Sequence, residues 1–260
     1  MLGMELKRVI SRPVLYVLLF TGFVLALLPV IATWPGNVTS DYYVFYPRNP
    51  FVSWMFFGAA TYNIYVLIFP LLAALPYADA YAQDYNSGLI KSILTKVKKR
   101  RYLNIRFMVN FIVGGAIAIF PPVINFLLEM MAFPLIENSM YYGMNLVGVD
   151  SFTPGLFYNY PFLYILVRVI MLFLLGGMLA SLGLALSTAV KNRYVILVFP
   201  FLVFMGLDVL FVSIGYVNYS ISMMYLFDVP FHWGFPFYLL IGTSGSYVWY
   251  KIAGEKNETI

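Results

Sequence analysis

Apolar and polar positions alternate along this chain on a long period. Stretches of mostly apolar residues, each near the ~20 residues that cross a bilayer as a helix, recur six times. They lie near residues 13–33, 54–76, 105–127, 161–189, 194–214 and 235–250. Ahead of the first, Leu2, Leu6, Val9 and Ile10 fall close to helical spacing, with Lys7, Arg8 and Arg12 interposed. That pattern predicts a short amphipathic helix lying on the membrane surface and leading into the first span. The long polar stretch, residues 78–104, separates the second span from the third. It carries Asp79 and Asp84, then Asn86-Ser87-Gly88, and from Leu89 it becomes periodic. Leu89, Ile90, Ile93, Leu94 and Val97 form one apolar stripe, while Lys91, Ser92, Thr95, Lys96 and Lys98 are polar, as in a short amphipathic helix. Within the third span, Pro121-Pro122 is expected to break the helix, because proline removes a backbone donor and clashes with the preceding turn.

Composition agrees with this pattern. The chain has 260 residues, 62% hydrophobic and only 10% charged, against roughly 25% charged in a soluble domain. The expected class is therefore an all-α, polytopic membrane protein forming a single transmembrane domain over residues 1–260. Cysteine is absent, which excludes disulfides and thiolate metal or redox chemistry.

The distribution of Lys and Arg orients the spans. One side collects Lys7, Arg8 and Arg12; Lys91, Lys96, Lys98, Lys99, Arg100, Arg101 and Arg106; Lys191 and Arg193; and Lys251 and Lys256. The other side has only Arg48, and Arg168 lies inside a span. Lys and Arg concentrate in cytoplasmic loops, so both termini are expected to be cytoplasmic, in a multi-pass protein of the cell membrane. The net charge of +5 then reflects topology and does not call for nucleic acid. The basic cluster Lys98–Arg101 reads as a topology anchor. Asn37-Val-Thr39 and Asn218-Tyr-Ser220 match a glycosylation pattern too common to discriminate.

Ionisable groups inside spans mark pathways or gates. Asp208 lies about fourteen residues into the fifth span, roughly 21 Å from the inner surface. Arg168 and Glu129 lie toward the outer ends of the fourth and third spans, so an Arg168–Glu129 or Arg168–Asp208 pair would neutralise buried charge. These three are candidates for lining or gating a translocation route. The outer loops are rich in Met, Phe and Tyr and nearly uncharged, which fits the membrane interface or a dip into the membrane and not a soluble domain. Gly176 with Ala180, Gly177 with Ser181, and Gly242 with Ser246 have the spacing that lets helices approach closely, either between two copies or within one.

The helix at Leu89–Leu94 has two readings: it lies on anionic lipid, or its stripe enters a groove on a partner protein. A resemblance bears on the choice. Glu5-Leu-Lys-Arg8 opens directly into the first span. Asp84-Tyr-Asn-Ser-Gly88 precedes an apolar helix, then Lys-Lys-Arg-Arg-Tyr102 and the polar re-entry at Asn104 and Arg106. With six spans and both ends inside, the whole chain resembles the permease subunit of a type-2 ATP-binding-cassette (ABC) exporter. The resemblance implies that residues 78–104 hold a coupling helix docking on a separate cytoplasmic ATPase, with Asp84, Gly88, Leu89, Ile90, Ile93 and Leu94 as the docking residues. It also implies a second permease copy or a similar permease, and a short re-entrant helix capping the pathway before the last span, where Ser220–Phe227 stands. Where the family commonly carries a glutamate before the glycine, this loop has Asp84.

No GxxxxGK[ST] phosphate loop occurs, so this chain is expected to hold no cofactor, with ATP and Mg bound by the partner ATPase. The lone histidine, His232, is flanked by Phe231 and Trp233, and no His/Asp/Glu cluster supplies metal ligands or a hydrolytic site. The chain is thus expected to be a transport subunit and not an enzyme. An amphipathic or hydrophobic cargo, such as a peptide, an antimicrobial or a lipid, fits the apolar outer rim. An ion-coupled transporter or channel, and a membrane anchor or sensor recruiting a soluble partner, stand as alternatives.

Overall fold

A computed structural model describes residues 1–32, 34, 49–56, 59–137, 153–226 and 233–256. The described residues form helices and no strand. In chain order they are α1 (Leu2–Ile10), α2 (Pro13–Ala32), α3 (Pro50–Phe56), α4 (Ala59–Ala74), α5 (Ala80–Asn86), α6 (Leu89–Leu94), α7 (Lys99–Ala132), α8 (Pro154–Asn159), α9 (Pro161–Leu186), α10 (Arg193–Ser213), a 3-10 turn (Val217–Tyr219), α11 (Ile221–Tyr225) and α12 (Gly234–Lys256). Four of them, α2, α7, α9 and α10, are long and apolar enough to cross a membrane. The protein is an all-helical membrane protein. The other two expected spans fall on α4, which has 16 residues, and on α12, whose 23 residues include the polar run Thr243-Ser244-Gly245-Ser246.

The bundle is organised around α9. About 67% of its most apolar window is buried, against 22% for α10. Its most extensive neighbour is α7, with α12, α4 and α10 also packed against it. Glycine permits the α7–α9 approach. A Cβ at Gly114 would overlap that of Ala180 and stand 2.8 Å from the Ala73 carbonyl oxygen, and one at Gly176 would stand 2.6 Å from Ala118 Cβ. Gly242 likewise leaves room for the Met178 sulfur. The small residues at four-residue spacing therefore serve packing within one chain.

The expected break at Pro121-Pro122 does not occur. Helix α7 runs unbroken for 34 residues through both prolines. The lost donor at Pro122 frees the Ala118 carbonyl, and the Tyr65 hydroxyl donates to it at 2.9 Å. The Trp54 indole donates to the Pro122 carbonyl at 2.9 Å. Tyr65 thus satisfies a group that proline would leave bare in an apolar medium, and Trp54 adds a second tie beside it.

Contacts gather the cationic segments at one end of the bundle. There α1 meets residues 77–106, Arg193 pairs with Asp79 at 2.6 Å, Asn86 donates to the Lys191 carbonyl at 3.2 Å, and Arg100 reaches Glu255 at 3.1 Å.

Candidate functional site

At this cationic end the expected amphipathic helix α1 is present, but turned in an unforeseen way. Its buried residues are Glu5 and Val9, while Leu2, Leu6 and Ile10 are exposed. Glu5 is inaccessible to solvent, which requires compensating charge, since an uncompensated buried carboxylate costs several kcal/mol, on the order of a whole domain's stability. Arg106, equally buried near the start of α7, supplies it: Nη2 lies 3.1 Å from both Glu5 carboxylate oxygens. The same Nη2 is 2.6 Å from Asp84 Oδ2, and Nη1 donates to the Ala80 carbonyl at 2.8 Å. Arg8 grips Asp84 with both terminal nitrogens, Nη1 at 3.0 Å from Oδ2. Tyr102 donates to Asp84 Oδ2 at 3.0 Å, and Tyr77 donates to Glu5. The guanidinium of Arg106 sits 4.7 Å from the Tyr102 ring centroid.

Two arginines and two carboxylates sum to no net charge, which is why the group tolerates burial. Burial alone would push the Asp84 carboxyl up. The hydrogen bond from Arg8 and the nearby charge of Arg106 outweigh it and hold the carboxyl below its ordinary range. The Arg8 guanidinium is raised in turn, chiefly by its bond to Asp84.

A second tier lies beside this lock. Asp79 is shared by Arg12 at 2.6 Å and Arg193 at 2.6 Å. Gln83 accepts from Arg12 at 2.6 Å and donates to Asp79 at 2.9 Å. Arg12 also donates to the Pro76 carbonyl at 3.0 Å. Together the two tiers fasten α5 to α1, to the start of α7 and to the start of α10.

Beyond α5 the chain turns at Gly88, whose φ of 71° lies in the left-handed region that favours glycine. Helix α6 follows. The six expected docking residues divide here. Asp84 and Ile90 are 1% and 3% exposed, so both face inward and neither offers a surface to a partner. Ile90 packs with Tyr81, Tyr102, Leu103 and Phe107, and Ile93 and Leu94 lie partly buried against the same cluster. Gly88 and Leu89 remain exposed, together with Tyr85, Asn86, Ser87, Lys91 and Ser92. The Lys191 ammonium braces this tip from below, 3.9 Å from the Tyr85 ring centroid.

No family model, curated protein or solved structure matches this chain. Function therefore has to be read from the arrangement itself.

At the opposite end the three membrane ionisable groups act on local structure. Asp208 Oδ1 accepts the Ser222 amide at 3.0 Å, at the start of α11. Arg168 donates to the Leu226 carbonyl at 3.2 Å, at the end of α11, and Tyr62 donates to the same carbonyl. A carboxylate at the amino end and a guanidinium at the carboxyl end complement the helix dipole. Glu129 is fully buried in the last turn of α7. Arg168 and Asp208 are thus brought to one element, from its two ends. Ile221, Met224 and Tyr225 of that element are buried, so within the expected segment Ile221–Tyr225 forms a short helix packed on the bundle.

Beneath α11 a cavity of about 630 Å³ opens between α9, α10 and α12, lined by Met178, Leu182, Leu207, Ile221, Phe237 and Ile241 among others. On the other flank of α12 a second, about 760 Å³, lies against α7 and α9, with Phe107, Phe111 and Leu240 in its walls. Among the described residues no group of His, Asp and Glu is placed to hold a metal. His232, Arg48 and Asn37-Val-Thr39 lie outside the described residues.

Sequence reasoning missed Glu5 and Arg106 as partners. One signal was available: Glu5 is the only glutamate before Glu129, and it stands on the apolar side of an otherwise basic helix.

Proposed function

We propose that this chain is the permease subunit of an ATP-driven exporter. It would have six spans, both termini cytoplasmic, and a separate ATPase docking on the α5–α6 tip. The observation that carries the reading is mechanical. The tip is exposed and polar at its apex, yet buried charge fastens it to α1 and to α7. A push on Leu89 or Tyr85 would move α5, and α5 cannot move without taking Arg106 and Glu5 with it. A soluble partner seated on the tip would act on the spans through this lever. The two apolar cavities beside α12 support a hydrophobic or amphipathic cargo, and α11, held at both ends by Asp208 and Arg168, supports a gate over the cavity beneath it. A second copy or a similar permease would complete the pathway against the exposed faces of α10 and α12, where Leu202, Val209, Phe237 and Leu240 are uncovered.

The test is affinity purification in mild detergent, followed by an ATPase assay of what co-purifies. A stoichiometric nucleotide-hydrolysing protein retained by the native chain and released by Leu89→Asp with Lys91→Glu is expected. A chain that purifies alone and still transports when reconstituted refutes the reading and favours ion coupling.

A further inference from the structure

The two charge tiers at the cationic end differ in balance. The inner one, Glu5, Asp84, Arg8 and Arg106, is neutral. The outer one sets Arg12 and Arg193 against Asp79 alone, an excess of one cation, and Lys7 stands beside it. Lys7 and Arg12 both wall a cavity of about 450 Å³, together with Met4, Arg8, Ser11 and Gln83. Lys7 is exposed on its rim and has no carboxylate partner among the described residues. Arg12 is half-turned into its floor, oriented by Pro76, Asp79 and Gln83. Next to the cavity on the same helix, Leu2, Leu6 and Ile10 point away from the protein at 48%, 39% and 57% exposure. On the helical repeat Lys7 falls between this apolar stripe and the cavity. A helix with these three faces lies in the membrane interface, its stripe among acyl chains and its cations at headgroup depth.

From this arrangement we infer that the α1–α5 cavity binds the phosphate of an anionic phospholipid headgroup. Lys7 and Arg12 are the donors, and the Leu2–Leu6–Ile10 stripe holds the acyl chains alongside. The cations at the rim and floor of the cavity suit a phosphate, and the uncovered stripe beside them is what selects a lipid. The site does not depend on what the bundle moves. Its consequence is that lipid at this leaflet would hold α1, and through Glu5 the coupling lock, in place.

The test uses the full chain in nanodiscs containing phosphatidylcholine and phosphatidylglycerol, with bound lipid counted by native mass spectrometry. The native chain is expected to retain phosphatidylglycerol preferentially. Lys7→Gln lowers that retention about fivefold, the effect of removing one cation at an anionic surface. Lys96→Gln, an exposed lysine at the same end but outside the cavity, leaves it unchanged. Lys7→Gln removes no ion pair, so its melting temperature in pure phosphatidylcholine stays native and a folding defect cannot mimic the result. Equal loss in both variants, or no preference for phosphatidylglycerol, overturns the site. Displacement of phosphatidylglycerol by millimolar inorganic phosphate in detergent, without any recovery of lipid preference in nanodiscs, assigns the cavity to a soluble phosphate and overturns the lipid.

Discussion

Replacing Arg106 with Gln leaves Glu5 and Asp84 fully buried with only Arg8 between them, so one negative charge loses its counter-ion. Removing one member of a buried pair costs about 3–5 kcal/mol, because the remaining charge stays desolvated. For a chain of this size that corresponds to a melting temperature lower by roughly 6–20 °C. Glu5→Gln leaves the opposite imbalance and is expected to cost a similar amount. The double variant restores neutrality, since Arg8 still grips Asp84 bidentately. It should therefore be less destabilised than the sum of the singles by about 2 kcal/mol or more. The control is the Arg100–Glu255 pair, whose side chains are 79% and 34% exposed. Solvent screening limits such a pair to less than about 1 kcal/mol. The assay is thermal unfolding of the native chain, the two single variants, the double variant and Arg100→Gln in one detergent, the first four compared in a cycle. Additive effects of Glu5→Gln and Arg106→Gln, or an Arg106→Gln shift no larger than that of Arg100→Gln, would refute the buried lock.

Other outcomes follow from the same geometry. Asp84 has a carboxyl held below its ordinary value of 3.8, so the unfolded chain takes up the proton first; its stabilisation is complete above that value and is lost as pH falls through the lower, folded one. Melting temperature should be flat from neutral pH down to the ordinary aspartate range, then fall, and Asp84→Asn should flatten the acid limb. Gly114→Val should prevent stable expression, because Ala180 and the Ala73 carbonyl occupy the added volume, while Gly245→Ala, with open space around it, should be silent. Asp208→Asn weakens the hold on the Ser222 amide; transport in reconstituted vesicles should change with membrane insertion unaltered, and unchanged transport removes Asp208 from the gate.

Part of this molecule is legible without coordinates. Long apolar runs can satisfy their backbone only as helices inside a bilayer, so α2, α7, α9 and α10 follow from hydropathy alone. The grouping of cationic segments also follows, because charge is excluded from the apolar layer and must collect at its edges. Local periodicity is sufficient for α1 and α6 as helices, since a short amphipathic repeat has one regular solution. What periodicity does not specify is which way a stripe faces. The resemblance implies Ile90 as a docking residue, and the structure buries it, because the chain folds back so that Tyr81 of α5 and Tyr102 and Phe107 of the first turns of α7 cover it. Pro121-Pro122 reads as a break, yet the helix runs on, with the Tyr65 hydroxyl satisfying the Ala118 carbonyl that Pro122 frees.

The sequence by itself determined the class, the helical segments and the sorting of positive charge, since each depends on the free energy of transferring residues between water and hydrocarbon. Tertiary structure decided the pairing of charges. Glu5 and Arg106 are separated by 101 positions and share no local pattern. Only the docking of α1 against α7 brings them within 3.1 Å. There, low dielectric turns two isolated liabilities into one neutral clamp.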